Sequence, residues 1–240
     1  LLGSLGIPVR KGQPAMGGFH LRGRGLPLAE LSGMVIPAAA SLRNPAGELL
    51  ERGAPDQLLF THRGVSGPAV LDLCGRAHEQ GAAYLDLDLV PARSESGLME
   101  DLSGVARQHP QRQVITAVSE LLPRALAQAV LDLVPLKADT TMAVLPKKEK
   151  TELVRKLKSL RLELRLPTPW PEVMSWTGGI LPTSLEWPDM RVRGHEGLYV
   201  VGDMVALDRP CGGYSLWFAW TSALAASRAI LAGLSPGRQP

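Results

Sequence analysis

Cysteine is nearly missing: Cys74 and Cys211 are the only two. Two are too few for a disulfide framework, so a reducing, cytoplasmic setting is the expectation. Long apolar runs are missing too. None approaches the 18 or more residues of a membrane span. The most apolar stretch, 213–231, carries Ser, Thr and Arg and is expected to be a buried core helix. Aromatic residues make up only 5% and do not interleave with the basic ones. Net charge is +3, and the main basic run, Lys147 to Lys158, is mixed with glutamates. It reads as a solvated helix face, so neither a nucleic-acid nor a membrane partner is expected. The five histidines (20, 62, 78, 109, 195) show no ligand spacing, and no metal site is expected. A dinucleotide-binding βαβ unit needs a strand, a G-x-G-x-x-G turn and an acidic residue about 20 positions on. That fingerprint is also absent. Gly3-x-x-Gly6 has no strand before it, and Gly17-Gly18 and Gly23-x-Gly25 have the wrong spacing and run into Pro27.

What is present suits a folded protein with one large or two modest domains. The 45% hydrophobic and 20% charged fractions over 240 residues are ordinary for a globular chain. The pattern is mixed α/β. Residues 1–24 are glycine-rich and irregular. Strands are expected at Met34–Ala40, at Glu48–Arg52 after an Asn44–Gly47 turn, at Gln57–Thr61 and at Tyr84–Val90. Ser66 is placed to cap a helix that has Pro68 in its first turn and runs to about His78. From Ser94 to Leu160 the apolar spacing turns helical: Leu98, Leu102 and Val105, then Val114, Ala117, Val118 and Leu121, then Leu126, Val130, Leu131 and Val134. Leu162–Leu166 is expected to carry the chain back to a main sheet. Trp170–Ile180, Met190–Val192 and Leu198–Val201 are β-like. The expected division is a β-rich and helical domain over 1–166, with its helical module at about 94–160, and a second domain over 167–240.

The densest signal is Gly197-Leu-Tyr-Val-Val-Gly202-Asp203, followed by Cys211-Gly-Gly-Tyr-Ser-Leu-Trp-Phe-Ala-Trp220. A short apolar strand ends in Gly-Asp, and a double glycine then opens an apolar helix. The first amides of a helix lack intrahelical acceptors, and its N-terminus carries positive dipole charge, so an electron-rich ligand is favoured there. Gly212 and Gly213 remove the Cβ atoms that would obstruct it. A strand, a turn and a buried helix with no ligand is the plain alternative. Two further blocks stand upstream: Leu59-Phe-Thr-His-Arg-Gly-Val-Ser-Gly-Pro-Ala-Val-Leu71 and Thr177-Gly-Gly-Ile180.

Taken in order, the three blocks resemble motifs of the BaiN/YhiN-like NAD(P)/FAD-dependent oxidoreductases. Those motifs read roughly L-F-T-H-x-G-L-S-G-P-A-I-L, T-x-G-G-V, and G-L-Y-F-A-G-E followed by G-G-Y-N-x-Q-W-A. Departures are one residue fewer in the second block, Asp203 for Glu, Ser215 for Asn, and Trp217-Phe218 where Gln-Trp is common. The resemblance implies an α/β (α+β) fold: the C-terminal part of a two-dinucleotide-binding-type FAD domain, with an inserted β-rich and helical substrate domain. It implies FAD, with the isoalloxazine at strand 198–203 and the N-terminus of helix 213–231, and hydride transfer through flavin N5. NAD(P)H or oxygen would be the other redox partner and a small molecule the substrate. Cofactor contacts would come from Gly202, Asp203, Gly212, Gly213, Tyr214, Ser215 and Leu216, and from Thr177, Gly178 and Gly179. His62 would be a proton donor or hydrogen-bonding group. The partner it implies is an N-terminal FAD-binding half, from the same gene or a separate chain. The alternative is a non-catalytic remnant or assembly subunit. A serine hydrolase elbow does not fit the Gly64-Val-Ser-Gly67 spacing. A redox pair would need Cys74 and Cys211 to be neighbours, and the sequence does not make them so.

Overall fold

The computed structural model describes residues 3–23, 25–166 and 173–234. They fall into two compact units. One spans 17–172; the other combines 1–16 with 173–240. The first sixteen residues therefore group with the C-terminal segment, where the sequence assigned them to the inserted domain. Residues 3–16 are not irregular either. They hold a 3-10 turn at Gly3–Leu5, strand β1 (Val9–Arg10) and most of β2 (Pro14–Gly17). The reason is pairing: Val9 lies opposite Ile180, and Arg10 opposite Gly179.

The 17–172 unit is built on β3 (Phe19–Arg22), β4 (Val35–Arg43), β5 (Leu49–Arg52), β6 (Asp56–Thr61), β7 (Gly64–Ser66), β8 (Tyr84–Asp88) and β9 (Leu160–Arg165). Six of these close an antiparallel ring in the order β4-β6-β7-β3-β9-β8 and back to β4, and β5 is a hairpin arm on β4. The nine-residue β4 makes closure possible. Its first half, Val35–Ala38, pairs with β6 and its second half, Ala39–Arg43, with β8. Alternation does the rest. Ile36, Ala38, Ala40 and Leu42 of β4 and Leu160, Leu162 and Leu164 of β9 point inward and are buried. The expectation that Leu162–Leu166 returns the chain to another sheet is thus corrected, because this strand closes the barrel between β3 and β8.

Two glycines of the Leu59–Leu71 block are required by that closure. A Cβ on Gly64 would lie 2.0 Å from the Phe19 carbonyl oxygen, and one on Gly67, at φ +92°, 2.6 Å from that of Gln57. Ser66 is the last residue of β7, not a helix cap; Gly67 holds the cap position and Ser66 makes no capping bond there. The helix breaks into α2 (Pro68–Leu71) and α3 (Leu73–Gln80), which follow a short α1 (Leu28–Leu31).

The helical segment consists of α4 (Glu95–Gln108), α5 (Val114–Val118), α6 (Arg124–Leu131) and α7 (Lys147–Lys158). Ser94 caps α4 through the amide of Gly97 at 3.0 Å. Helix α7 buries Leu153, Val154 and Leu157 and exposes Lys147 and Lys148 at its start. It is tied to the strand edge where Leu89 N–H donates to the Leu157 carbonyl at 2.9 Å and Lys158 to Asp88 at 2.6 Å. On the barrel's outer face the buried Asp86 is gripped by Arg161, at 2.8 and 3.1 Å, and by Arg43. Burial alone would raise this carboxyl. Hydrogen bonds from Arg161 and then Arg43, with their charges, outweigh it and hold the group below its usual value.

The other unit contains β10 (Val173–Trp176), β11 (Gly179–Ile180), β12 (Leu185–Glu186), β13 (Arg191–Val192) and α8 (Tyr214–Leu234). Residues 170–172 of the expected β-like stretch lie outside the described residues. Its core is Ile7, Ile180, Leu185, Met190, Val192, Val200, Val205 and Ala226. Two expectations are corrected here. Leu198–Val201 is extended but forms no ladder; one bridge, Tyr199 to Arg191, joins it to β13. The α8 helix is not a buried core helix, since Ser222 and Ala226 are its only buried residues. Among the described residues no further strand flanks 198–201, and this small core reaches one line of a largely apolar helix. A dinucleotide-binding sheet is not seen among the described residues; the fold shown is a mixed α/β one with a six-stranded barrel. No described helix is long and apolar enough to cross a membrane.

Candidate functional site

The elements that place the predicted residues meet at the start of α8. Gly202–Met204 forms a 3-10 turn directly after the extended 198–201 segment. Its entry is fixed from the helix: Ser222 Oγ accepts the Gly202 amide at 3.0 Å and donates to the Phe218 carbonyl at 2.6 Å. Gly202 has φ +60°, and an added Cβ would meet Ala219 at an ordinary 3.4 Å. The Thr177-Gly178-Gly179 block supports this turn from behind. A Cβ on Gly179 would lie 2.2 Å from the Met204 carbonyl oxygen, and one on Gly178 2.7 Å from Gly12. Thr177 N–H donates to Gln13 at 2.8 Å, and Ala206 N–H to Ile180 at 2.8 Å. These glycines admit the protein's own backbone.

Gly212 and Gly213 differ. Both have strongly positive φ, +115° and +90°. A Cβ on Gly213 would meet nothing within 4 Å, and one on Gly212 only the Tyr214 ring at 3.7 Å. They therefore leave open backbone immediately before the 21-residue α8, whose first amides have no acceptor within the helix. Tyr214 and Leu216 stand exposed on that first turn, 54% and 72% accessible.

Arg209, which sequence reasoning passed over, links the remaining pieces. Its Nη2 donates to Asp203, and its Nε to Ser215 Oγ at 3.2 Å. Its guanidinium lies 5.0 Å from the centre of the Phe218 ring. The side chain is only 12% exposed, and Nη1 is buried without a hydrogen-bond partner. The usable signal was a lone basic residue six positions after Asp203 and six before Ser215. Arg10 pairs with the neighbouring Asp208 at 2.5 and 3.2 Å and pins the loop to β1.

His62 belongs to the other unit. It is exposed at the two-residue turn between β6 and β7. Cys74 is buried in α3, and burial, against a backbone hydrogen bond from Gly17, pushes its thiol up to about 11. It stays protonated at neutral pH. Among the described residues no group of three or more His, Cys, Asp or Glu gathers to hold a metal.

The residues fit an electron-rich group. Open glycine backbone, the helix N-terminus, an exposed carboxylate on Asp203 and a buried unpaired donor on Arg209 lie within one short segment. Sequence comparison gives the class. The model of the HI0933-like protein barrel and H2TH domain matches residues 13–172, and the chain belongs to this family of FAD-dependent oxidoreductase-like proteins. The individual relatives are more distant. Ribosomal RNA dihydrouridine synthase of Escherichia coli is 26% identical over 87% of this chain and 49% of its own length. The protein of that name from Haemophilus influenzae is 26% identical over 94% and 53%. The 3-dehydro-bile acid delta(4,6)-reductase of Clostridium scindens is 22% identical over 72% and 43%. The chain spans about half the length of the curated relatives it matches.

Proposed function

We propose that this chain is the C-terminal portion of a flavin-dependent reductase that saturates a carbon–carbon double bond conjugated to a carbonyl. The observation that carries the proposal is the open, positive-φ pair Gly212-Gly213 leading into α8, with Asp203 and Ser215 gathered beside it by Arg209. When bound, FAD would supply hydride at N5, recharged by NAD(P)H. The chain's part is to bind and orient. The first-turn amides near Tyr214, Ser215 and Leu216 would face the pyrimidine edge, where negative charge gathers on reduction. The second oxygen of Asp203 is free to accept a ribityl hydroxyl. Gly202, Thr177, Gly178 and Gly179 would hold that segment in place, not touch the flavin.

The bond class comes from the relatives' names. A dihydrouridine is a uridine whose ring double bond, conjugated to a carbonyl, has been saturated, and a delta(4,6)-reductase acts on an unsaturated bile acid. Both longer matches carry a ribosomal RNA in their names. A uridine in RNA is therefore the first substrate to test, and the reading departs here from the expectation of no nucleic-acid partner. The pyrophosphate-binding half would be supplied outside these 240 residues and would cover the exposed face of α8. The domain arrangement that goes with this is an inserted barrel-and-helix unit and a C-terminal segment of the FAD-binding domain.

The test is reconstitution. The chain together with a G-x-G-x-x-G half should bind one flavin per complex and oxidise NAD(P)H when given uridine-containing ribosomal RNA or a conjugated steroid ketone. A complex that assembles but stays colourless with added FAD would favour the non-catalytic remnant instead.

A further inference from the structure

We propose that Arg209 is a charge-setting residue for the flavin, raising its reduction potential through the guanidinium that faces the start of α8. This rests on the flavin reading above and deepens it.

Four observations lead there. The guanidinium is desolvated, with 12% of the side chain exposed, whereas its partner carboxylate on Asp203 is 61% exposed. Solvent screens the anion and not the cation, so the pair is electrically lopsided: the positive charge reaches further on the inner side. Two of its donors are spent on Asp203 and Ser215, and these fix its orientation. The Phe218 ring packs 5.0 Å away and holds the plane. The third nitrogen, Nη1, is buried and has no acceptor. With no acceptor on Nη1, the protein offsets the charge through Asp203 alone, and burial leaves it weakly screened. A flavin reduced at neutral pH develops negative charge along its N1–C2 carbonyl edge. Gly212 and Gly213 leave room for such an edge next to the turn that carries Ser215, which Arg209 holds. The helix N-terminus supplies partial charge there; Arg209 would add a whole one.

The experiment is a measurement of the bound flavin's midpoint potential and flavin content in the reconstituted complex, for the parent and for Arg209→Gln, Arg209→Lys and Asp203→Asn. Losing the cation in Arg209→Gln should lower the reduced-to-oxidised ratio at a fixed potential about tenfold, or about 30 mV for a two-electron couple. Arg209→Lys should keep most of the parent value. Asp203→Asn, which removes the opposing anion, should shift the potential the other way. A loop pin with no electrostatic role would loosen flavin in both Arg209→Gln and Asp203→Asn without opposite potential shifts. Unchanged potential in Arg209→Gln overturns the proposal. If Arg209→Gln fails to retain flavin, an Asp203→Asn potential equal to or below the parent's overturns it. A parent complex that binds no flavin overturns the flavin reading and this inference with it, whereas flavin bound with a charge-insensitive potential overturns this inference alone.

Discussion

Alanine substitutions at Gly213, Gly179 and Gly194 should separate a glycine that serves a ligand from one that serves the fold. All three have positive φ, +90°, +109° and +73°. Forcing a side chain into that backbone region costs about 1–3 kcal/mol. At Gly213 and Gly194 a Cβ meets nothing within 4 Å, so strain is the whole cost. At Gly179 the Cβ lands 2.2 Å from the Met204 carbonyl oxygen and 2.7 Å from its carbon. Both atoms are backbone and cannot swing aside, so overpacking adds about 1–3 kcal/mol. With about 2–4 °C lost per kcal/mol in a chain of this length, Gly213→Ala and Gly194→Ala should cost a few degrees each and Gly179→Ala about twice as much. Thermal unfolding without added flavin reads that difference. Flavin titration then separates the first two. Gly213→Ala should weaken binding at least about tenfold, or about 1.4 kcal/mol, because the new methyl occupies the open approach. Gly194→Ala, equally strained, should leave affinity unchanged. Parent-like flavin affinity in Gly213→Ala, or an equal loss in Gly194→Ala, would refute the assignment of the double glycine to a ligand.

Asp86 gives a pH prediction. Its folded carboxyl lies below the unfolded value of about 3.9, so it stabilises the barrel above that value, and the contribution is lost as pH falls through the folded one. Asp86→Asn should flatten the acid side of the stability profile and leave the neutral-to-alkaline side parallel to the parent's; an unchanged acid limb would contradict this. Leu157→Ala, at a fully buried position of α7, should cost about 2–5 kcal/mol in chemical denaturation, and a loss under 1 kcal/mol would mean that α7 is not part of the unit's core. Gly64→Ala would place a methyl 2.0 Å from the Phe19 carbonyl oxygen and should disrupt the β3–β7 pairing, visible as lost protection of the Phe19 and Val65 amides in hydrogen exchange.

The local pattern was legible where burial follows period. The alternation of Tyr84–Val90, the turn at Asn44–Gly47 and the spaced leucines of α4 to α7 all appear as strand, turn and helices. Ring closure was not legible. Nothing local in β4 announces that its two halves serve different neighbours, or that β9, after a long helical excursion, pairs with β3 and β8. The role of each glycine was also invisible. Gly64, Gly67, Gly178 and Gly179 look like ligand-loop glycines on paper, but each is pressed against the protein's own backbone. Only coordinates distinguish a Cβ that would strike a carbonyl from one that would point into open space. Arg209 escaped notice because a single basic residue in a loop has no period.

The α8 helix shows why sequence reasoning found its character and missed its setting. Tyr214, Leu216, Trp217, Trp220, Leu224 and Leu231 are each at least half exposed on one helix. An apolar surface of this extent on a water-facing helix is a contact surface or an aggregation liability. A largely apolar helix interrupted by Ser, Thr and Arg is expected to be buried, and burial is the right physical demand. The 173–234 segment meets it along one line only, at Ser222 and Ala226. In the proposed function a dinucleotide-binding half is the covering for the exposed side of α8. Charged substitutions at Trp220 and Leu224 should then leave the 17–172 barrel folded, improve the solubility of the chain alone, and abolish assembly with that half. Assembly that survives both charges would place the covering surface elsewhere.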